Sequence, residues 1–238
     1  MKLSKSAVNS YRKCPREFKY QYIDKIEQEA NEYMQLGTDV HDIAETFVQN
    51  ADMDKDFFTQ LMDIYRASDS EFELEEHLQN LANFFDEVFR DENEPYYLFS
   101  AEEYIYDKKH NFSGLADLIV EDPDGDLIII DYKTGKPSPI SKYLLELTYY
   151  KMLVNSKYPN RRVVSAGIFF TKDGSMKFTN FCEKQKKGSF IDAEDEQTAI
   201  DYLDWIRNEV KEGNLAPNRQ FLCDYCCYKD RCDADGGF

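Results

Sequence analysis

The sequence predicts a mixed α/β fold with a helical N-terminal arm, and three observations lead to this prediction. Helical periodicity dominates residues 1–95, β-rich runs separated by turn signals begin near residue 96, and helices alternate with strands after that point. We expect a single domain over residues 1–238, which comprises the arm (1–95), a core (96–192) and a C-terminal helix with a cysteine-rich tail (193–238).

The arm is predicted to be a series of amphipathic helices. Ser4 is a suitable N-cap for a first helix that is interrupted by a proline. A glycine then indicates a break, after which Thr38 would cap the helix that carries His41. Further helical periodicity covers residues 57–65 and 74–89.

The core begins with three β-rich runs, "YYLFSAEEYIYD", "FSGLADLIVE" and "DLIIIDYKTG", which "KKHN" and "DPDGD" separate as turns. A helical stretch, "SKYLLELTYYKMLVNS", precedes two more strands that join at a turn, "KDGS". A long helix from about Ala193 to Val210 follows. We therefore expect helices to flank a sheet of at least five strands.

The composition argues against a membrane protein and gives no overall sign of nucleic-acid binding. The chain has no apolar run that could cross a bilayer and no apolar signal segment at its start, so we expect a soluble, cytoplasmic protein. Its net charge is −17, whereas nucleic-acid-binding proteins usually carry a basic surface. The charge is uneven, however, since residues 1–25 hold seven basic and two acidic side chains. A local basic groove is therefore compatible with the acidic total.

Two predicted neighbouring strands carry acidic side chains where a hairpin would bring them together. Asp117 lies in the strand before the "DPDGD" turn, and Asp131 and Lys133 end the strand after it. Converging carboxylates repel each other unless a cation lies between them, and Mg²⁺ prefers such oxygen ligands. A bound metal could activate a water to attack a phosphate, with Lys133 as a nearby positive charge and His41 as a further ligand. The ordinary alternatives are a surface ion pair between Asp131 and Lys133 and a packed histidine.

The cysteines suggest a second metal site. Three of them form a C-x2-C-x5-C pattern in the tail, namely Cys223, Cys226 and Cys232. Cys14 would complete four ligands if the two ends of the chain meet, and both zinc and a four-iron cluster fit four thiolates. The alternatives are a short zinc knuckle that uses Cys227, or buried free thiols, and Cys182 is more simply a core thiol.

Four segments, in this order, resemble the RecB-like branch of the PD-(D/E)XK nuclease superfamily: "GTDVHDIAE", "GLADLIV", "IIIDYKTGK" and "ELTYYKML". The resemblance implies a restriction-endonuclease-like mixed central sheet flanked by helices. It also implies that Mg²⁺ or Mn²⁺ binds His41, Asp117, Asp131 and the backbone carbonyl of Tyr132, and that Lys133 is the catalytic lysine.

The resemblance extends to three further residues near this site. Tyr150 matches the tyrosine that helps to position substrate, whereas Glu146 replaces the glutamine that normally precedes it. On the strand that leads into the site, Glu102 or Glu103 would orient the metal-bound water, and we choose Glu103 as the candidate.

The cysteine pattern is similar to the iron–sulfur staple of AddB-type and small CRISPR-associated nucleases. This similarity implies a structural [4Fe–4S] cluster, with zinc as the lesser alternative, on four ligands: Cys14, Cys223, Cys226 and Cys232. The whole resemblance implies a metal-dependent DNA nuclease, an exonuclease on single-stranded DNA or DNA ends. CRISPR adaptation or DNA recombination and repair, with a helicase or integrase partner, are the contexts it suggests. A catalytically idle nuclease fold that binds DNA or assembles a complex is the alternative.

Overall fold

The computed structural model describes residues 1–28, 31–91, 96–181, 190–191 and 193–236. The strands are β1 (Leu3–Ser4), β2 (Tyr97–Asp107), β3 (Phe112–Glu121), β4 (Leu127–Lys133), β5 (Val163–Phe170), β6 (Ser175–Phe181) and β7 (Phe190–Ile191). The α-helices are α1 (Lys5–Lys13), α2 (Pro15–Phe18), α3 (Glu32–Asn50), α4 (Phe57–Ala67), α5 (Glu75–Phe89), α6 (Leu144–Lys157), α7 (Ala193–Glu212) and α8 (Lys229–Ala234). A π-helical turn (Lys19–Ile23) follows α2, and short 3-10 turns span Ile140–Lys142 and Phe221–Tyr225.

Within the described residues, the seven strands form one mixed sheet in the order β1-β3-β4-β5-β6-β7, and β2 also pairs with β3. β3 is antiparallel to β2 and β4, whereas β4 and β5 are parallel and are connected through α6. A parallel pair needs a crossover of this kind, and a helix is the usual crossover. The predicted mixed sheet with flanking helices is confirmed.

One edge of β3 is shared by two different strands. β1 pairs with its beginning through Leu3 and Phe112, and β4 pairs with its end up to Leu118 and Ile130. Between these two ladders the edge of β3 is open, and Asp117 is the first residue beyond the β4 ladder. The sheet therefore splits at this point, and the candidate site lies in the split.

Helices cover both faces of the sheet. The first layer contains α1, α6 and α7, whose buried side chains include Val8, Tyr149, Leu153 and Leu203. The second layer contains α3, α4 and α5, and its core includes Phe47, Leu61, Leu78 and Phe85. None of the helices in the described ranges has the length and apolar character that a bilayer-spanning segment requires.

The N-terminal 95 residues are more integrated into the core than the predicted helical arm. β1 is part of the sheet, and α1 and α3 lie on opposite faces. The predicted start of α3 is also wrong, because the Asn31 side chain caps the helix by accepting from Met34 N at 3.0 Å. Thr38 lies within the helix and donates to the Met34 carbonyl at 3.1 Å. His41 is consequently in the third turn of a long helix rather than near its start.

Candidate active site

Three side chains with metal-binding atoms converge at the split of the sheet. His41 on α3 places Nδ1 3.3 Å from Glu102 Oε1 on β2 and 3.5 Å from Asp117 Oδ2 on β3. One ligand atom of each residue lies within 4.8 Å of those of the other two. An imidazole nitrogen and two carboxylate oxygens are a donor set that suits Mg²⁺ or Mn²⁺. We call these three residues the acidic trio.

An unusual backbone conformation at Glu102 directs its side chain to the acidic trio. Glu102 has a φ of 44°, in the left-handed region that residues with a side chain seldom occupy. Residues 101, 103 and 105 would share one face of a regular strand. Instead, Ala101 packs with the second layer, whereas Ile105 packs with the first. Glu102 therefore reverses which residues of β2 face the first and the second layer, and this reversal lies opposite Asp117 on β3.

The same switch removes Glu103 from the site. Its carboxylate ion-pairs with Lys157 and accepts a 2.5 Å hydrogen bond from the Tyr158 hydroxyl, at the end of α6. The expectation that Glu103 orients a metal-bound water is thus corrected, because Glu102 stands where Glu103 was expected. A regular alternation provides no sign of this exchange, and "EE" in the sequence leaves either residue open.

The carboxylates in and near the acidic trio repel one another, and a bound cation would offset this repulsion. Burial and the nearby charge of Asp131 raise the pKa of Asp117 to about 6, although His41 acts against this shift. Burial alone would lower the pKa of His41, but Asp117, Glu102 and Asp131 raise it to about 9. A proton on His41 therefore partly balances the carboxylates in the ion-free protein. A divalent ion could replace that proton, so the residues fit the metal that the resemblance implies.

Asp131 faces two lysines instead of the imidazole. Its Oδ1 accepts from the Tyr150 hydroxyl at 2.9 Å and from Lys5 Nζ at 3.3 Å, while Oδ2 ion-pairs with Lys133. Burial would raise the pKa of Asp131, but Lys133 and Lys5 hold it well below its ordinary value. Asp131 is close enough to Asp117 and His41 to affect their pKa values, so the structure brings together the four predicted polar residues of the site.

Glu146 and Lys5 complete this network. Glu146 Oε1 lies 2.8 Å from Lys5 Nζ and 3.2 Å from Lys133 Nζ, and its side chain is buried. The glutamate that replaces the usual glutamine is therefore balanced by two ammonium groups. Sequence reasoning missed Lys5, because only the pairing of β1 with β3, more than 100 residues away, brings it to Asp131.

Tyr132 connects the two halves of the site through its backbone. Its amide donates to Asp117 Oδ2 at 2.8 Å, which fixes the carboxylate relative to β4. Its ring points into the second layer, with its centroid 5.7 Å from that of the His41 ring. The carbonyl of Tyr132 stays a predicted metal ligand.

The four predicted cluster ligands line one cavity where the two ends of the chain meet. These residues are Cys14, Cys223, Cys226 and Cys232. Asn218 N donates to Cys14 Sγ and Gln220 N to Cys223 Sγ, both at 3.4 Å, and the Gln220 side chain donates to the Lys13 carbonyl at 3.1 Å. Cys227 is exposed, and Cys182 lies outside the described residues.

The spacing of these sulfurs bears on which metal group they suit. A tetrahedral zinc ion with Zn–S bonds of about 2.3 Å brings its thiolates to about 3.8 Å from one another. In the described chain, no three cysteine sulfurs lie within 4.8 Å of one another. The four cysteines are therefore spaced more widely than a tetrahedral zinc ion would hold them, and Lys13, Arg16 and Glu17 line the same cavity.

A mixed sheet that splits beside acidic side chains and a lysine defines a class of metal-dependent nucleases. The family model of the PD-(D/E)XK nuclease superfamily matches residues 2–233, and the chain belongs to this superfamily. A solved structure with the same fold, from Eubacterium rectale, is described as a "Putative exonuclease". It has 13% sequence identity and a TM-score of 0.52, and the match covers 100% of this chain and 94% of that one. No curated protein gives a significant match.

Proposed function

We propose that the protein is a metal-dependent deoxyribonuclease of the RecB-like branch, which acts as an exonuclease on single-stranded DNA or DNA ends. The observation that carries this proposal is the convergence of His41, Glu102 and Asp117 beside the Asp131–Lys133 pair, at the split of the sheet. A site with no hydrolytic role has little reason to bury Asp117 and Asp131 and to strain the backbone at Glu102.

Each residue of the site has a distinct part in the proposed reaction. The acidic trio, with Asp131 and the Tyr132 carbonyl, would hold Mg²⁺ or Mn²⁺, which activates a water and offsets charge on the phosphate when bound. Lys133 offers an ammonium group to the attacked phosphate. The Tyr150 hydroxyl holds Asp131 in position through its 2.9 Å hydrogen bond.

An exposed surface next to the acidic trio supports a single-stranded substrate. Tyr104 lies two residues after Glu102 on β2. Its cross-strand partner on β3, Leu115, lies two residues before Asp117. Their side chains are exposed, as is that of Tyr106, and the ammonium group of Lys2 lies 5.3 and 5.0 Å from the two tyrosine ring centroids. Unpaired bases stack on such rings while a lysine contacts the phosphates.

Other basic and aromatic residues divide into substrate candidates and core residues. Lys136 and Lys142 are exposed after β4 and remain our candidates for phosphate contacts. Tyr11, Phe18 and Tyr20 of the N-terminal segment are at most 3% exposed, so they pack in the core and are unavailable for base stacking.

We assign the cysteine cavity to a structural [4Fe–4S] cluster, with zinc as the alternative. The cluster would fasten the segment that begins with Lys5 to the C-terminal tail. Reduced thiols persist in the cytoplasm, where we place this function. CRISPR adaptation or DNA recombination and repair would supply suitable DNA ends, through a helicase or integrase partner.

The test is cleavage of end-labelled single- and double-stranded DNA with Mg²⁺, Mn²⁺ or a chelator, with each DNA end blocked in turn. We expect metal-dependent release of nucleotides from an unblocked end, and its loss in Asp131→Ala and Lys133→Ala. Cleavage that persists in both variants would show a contaminating nuclease. DNA binding without cleavage by the wild-type protein would favour the idle-fold alternative.

A further inference from the structure

A network of four charged side chains lies beside the acidic trio, and one member, Lys5, comes from the start of α1. Lys5 Nζ lies 2.8 Å from Glu146 Oε1 and 3.3 Å from Asp131 Oδ1, and it also hydrogen-bonds the Tyr150 hydroxyl. The side chain of Lys5 is 16% exposed and that of Glu146 is 8% exposed. Neither residue is therefore an ordinary solvated surface charge.

The network is neutral as it stands, and removal of Lys5 or Glu146 alone would unbalance it. Lys133 ion-pairs with Asp131 and lies 3.2 Å from Glu146 Oε1, so Glu146 accepts from both lysines through the same oxygen. Removal of Lys5 would leave Lys133 as the single cation for two buried carboxylates in this network. Removal of the Glu146 charge would leave both lysines directed at Asp131.

We infer that Lys5 and Glu146 are a compensating pair of positioning residues, which sets how strongly the adjacent acidic trio binds a divalent cation and where the Lys133 ammonium points. This inference rests on the proposed function, because the acidic trio is taken as the metal site. Lys5 acts through its neighbours: it neutralises Glu146, so that Lys133 remains on Asp131. It also occupies Asp131 Oδ1, so that a metal must share Asp131 with the lysines.

The two single changes should shift metal binding in opposite directions. Lys5→Met leaves an extra negative charge near the acidic trio and should tighten Mn²⁺ binding by about tenfold. Glu146→Gln leaves an extra positive charge and should weaken Mn²⁺ binding by about tenfold. The double variant is neutral again and should bind Mn²⁺ within about twofold of the wild-type protein.

DNA cleavage should follow a different pattern from metal binding. Both single changes should slow cleavage at saturating Mn²⁺, because each one alters the partners of Lys133. The double variant should recover most of the lost rate, because Lys133 then faces Asp131 without a competing carboxylate or a second ammonium group. A role in folding alone would make the double variant no better than the worse single variant.

The experiment is Mn²⁺ titration calorimetry at pH 8 on wild-type protein, both single variants and the double variant, without DNA. Thermal melting verifies that each variant is folded, and cleavage of single-stranded DNA is measured afterwards. Lys55→Met and Asp52→Asn are the matched control, because they make the same charge changes in an exposed ion pair. These two variants should leave the Mn²⁺ affinity unchanged.

Shifts of the Mn²⁺ affinity of both single variants in the same direction would overturn the inference, as would a double variant in which the two losses of cleavage rate add. If Lys5→Met does not fold, Glu146→Gln and the double variant decide the question, because the affinity must fall in one and return in the other. Absence of Mn²⁺ binding by the wild-type protein would instead remove the proposed function. Wild-type binding and cleavage with unshifted variants would remove the inference alone.

Discussion

At the scale of single residues, the site depends on the backbone conformation of Glu102, which residues with a side chain seldom adopt. Glu102 occupies the left-handed region at φ 44°, which costs free energy for a residue with a side chain. This conformation places the Glu102 carboxylate next to His41 instead of facing α6. The neighbouring Glu103 has the same side chain in a different environment. A substitution at Glu103 is therefore a matched control for the same substitution at Glu102.

Glu102→Gln should weaken Mn²⁺ binding by about tenfold or more, because loss of a ligand costs at least as much as loss of an outer-shell partner. Glu103→Gln should leave Mn²⁺ affinity unchanged, since its partners are Lys157 and Tyr158. Titration calorimetry measures both variants. Equal effects of the two changes would contradict the assignment of Glu102.

The raised pKa of His41 predicts a pH-dependent contribution to stability in the metal-free protein. Since this pKa is about 9 when folded, against 6.5 ordinarily, the protonated imidazole stabilises the fold. The contribution is complete below about pH 6.5 and is lost as the pH rises through 9. The difference in melting temperature between wild-type protein and His41→Gln should therefore shrink from pH 6.5 to 9.5. A difference that is constant over this range would contradict the ion pairs of His41.

Residue patterns predicted much of the site. Hairpin geometry predicted that Asp117 approaches Asp131, and His41 and Lys133 were candidates from their residue types before the resemblance added support. Glu102 was named only as the alternative to Glu103, because strand alternation assumes regular dihedral angles and nothing in "AEEY" signals a left-handed residue. Local patterns report short-range geometry and therefore do not reveal such an exception.

At the scale of elements, the split edge of β3 determines where the site can form. Gly114 lies on this open stretch, where α1 and α6 approach the strand closely. A Cβ on Gly114 would lie 2.7 Å from Leu153 Cδ1 and 3.7 Å from the Lys5 Cβ. The glycine thus lets the helices that carry Tyr150 and Lys5 approach Asp131.

Gly114→Ala should destabilise the protein by about 1–3 kcal/mol, because Leu153 is buried and cannot move aside freely. Gly135→Ala is the control, since a Cβ there meets nothing within 4 Å, and it should change stability by less than about 0.5 kcal/mol. Urea unfolding measures both variants. A Gly114→Ala variant as stable as the control would contradict the close packing of α6 on β3.

The order of the core elements was predictable from alternating patterns and turns, whereas the role of the first residues was not. β1 has two residues and pairs with β3 over a separation that no local pattern reports. The position of Lys5 follows from that pairing. Similarly, the true start of α3 depends on Asn31 as its cap, and the helix continues through a glycine that suggested a break.

At the scale of the whole molecule, the two ends of the chain meet around the cysteine cavity. The Arg16 side chain donates to the Leu215 carbonyl at 3.0 Å, and Gln220 donates to the Lys13 carbonyl at 3.1 Å. Lys5 belongs to the helix that ends at Lys13. We therefore expect that a protein lacking the proposed cluster would be disturbed at the candidate active site as well as in the tail.

Protein purified without oxygen should contain about four iron and four sulfide ions per chain. Cys14→Ala should lose most of this iron and melt at a lower temperature, because one cluster ligand and the link between the ends are lost. Cys227→Ala is the matched control and should keep both properties, since Cys227 is exposed. Iron and sulfide analysis with thermal melting tests this prediction. Equal iron in the two variants would contradict the ligand set, and stoichiometric zinc would replace the cluster assignment.

The proposed function requires that His41, Glu102 and Asp117 hold a divalent ion beside Asp131 and Lys133. Its most direct test is anomalous diffraction from crystals of the protein grown with Mn²⁺. We expect an anomalous peak in contact with the His41 imidazole and both carboxylates of the acidic trio. A saturated crystal with no peak among these three side chains would contradict it.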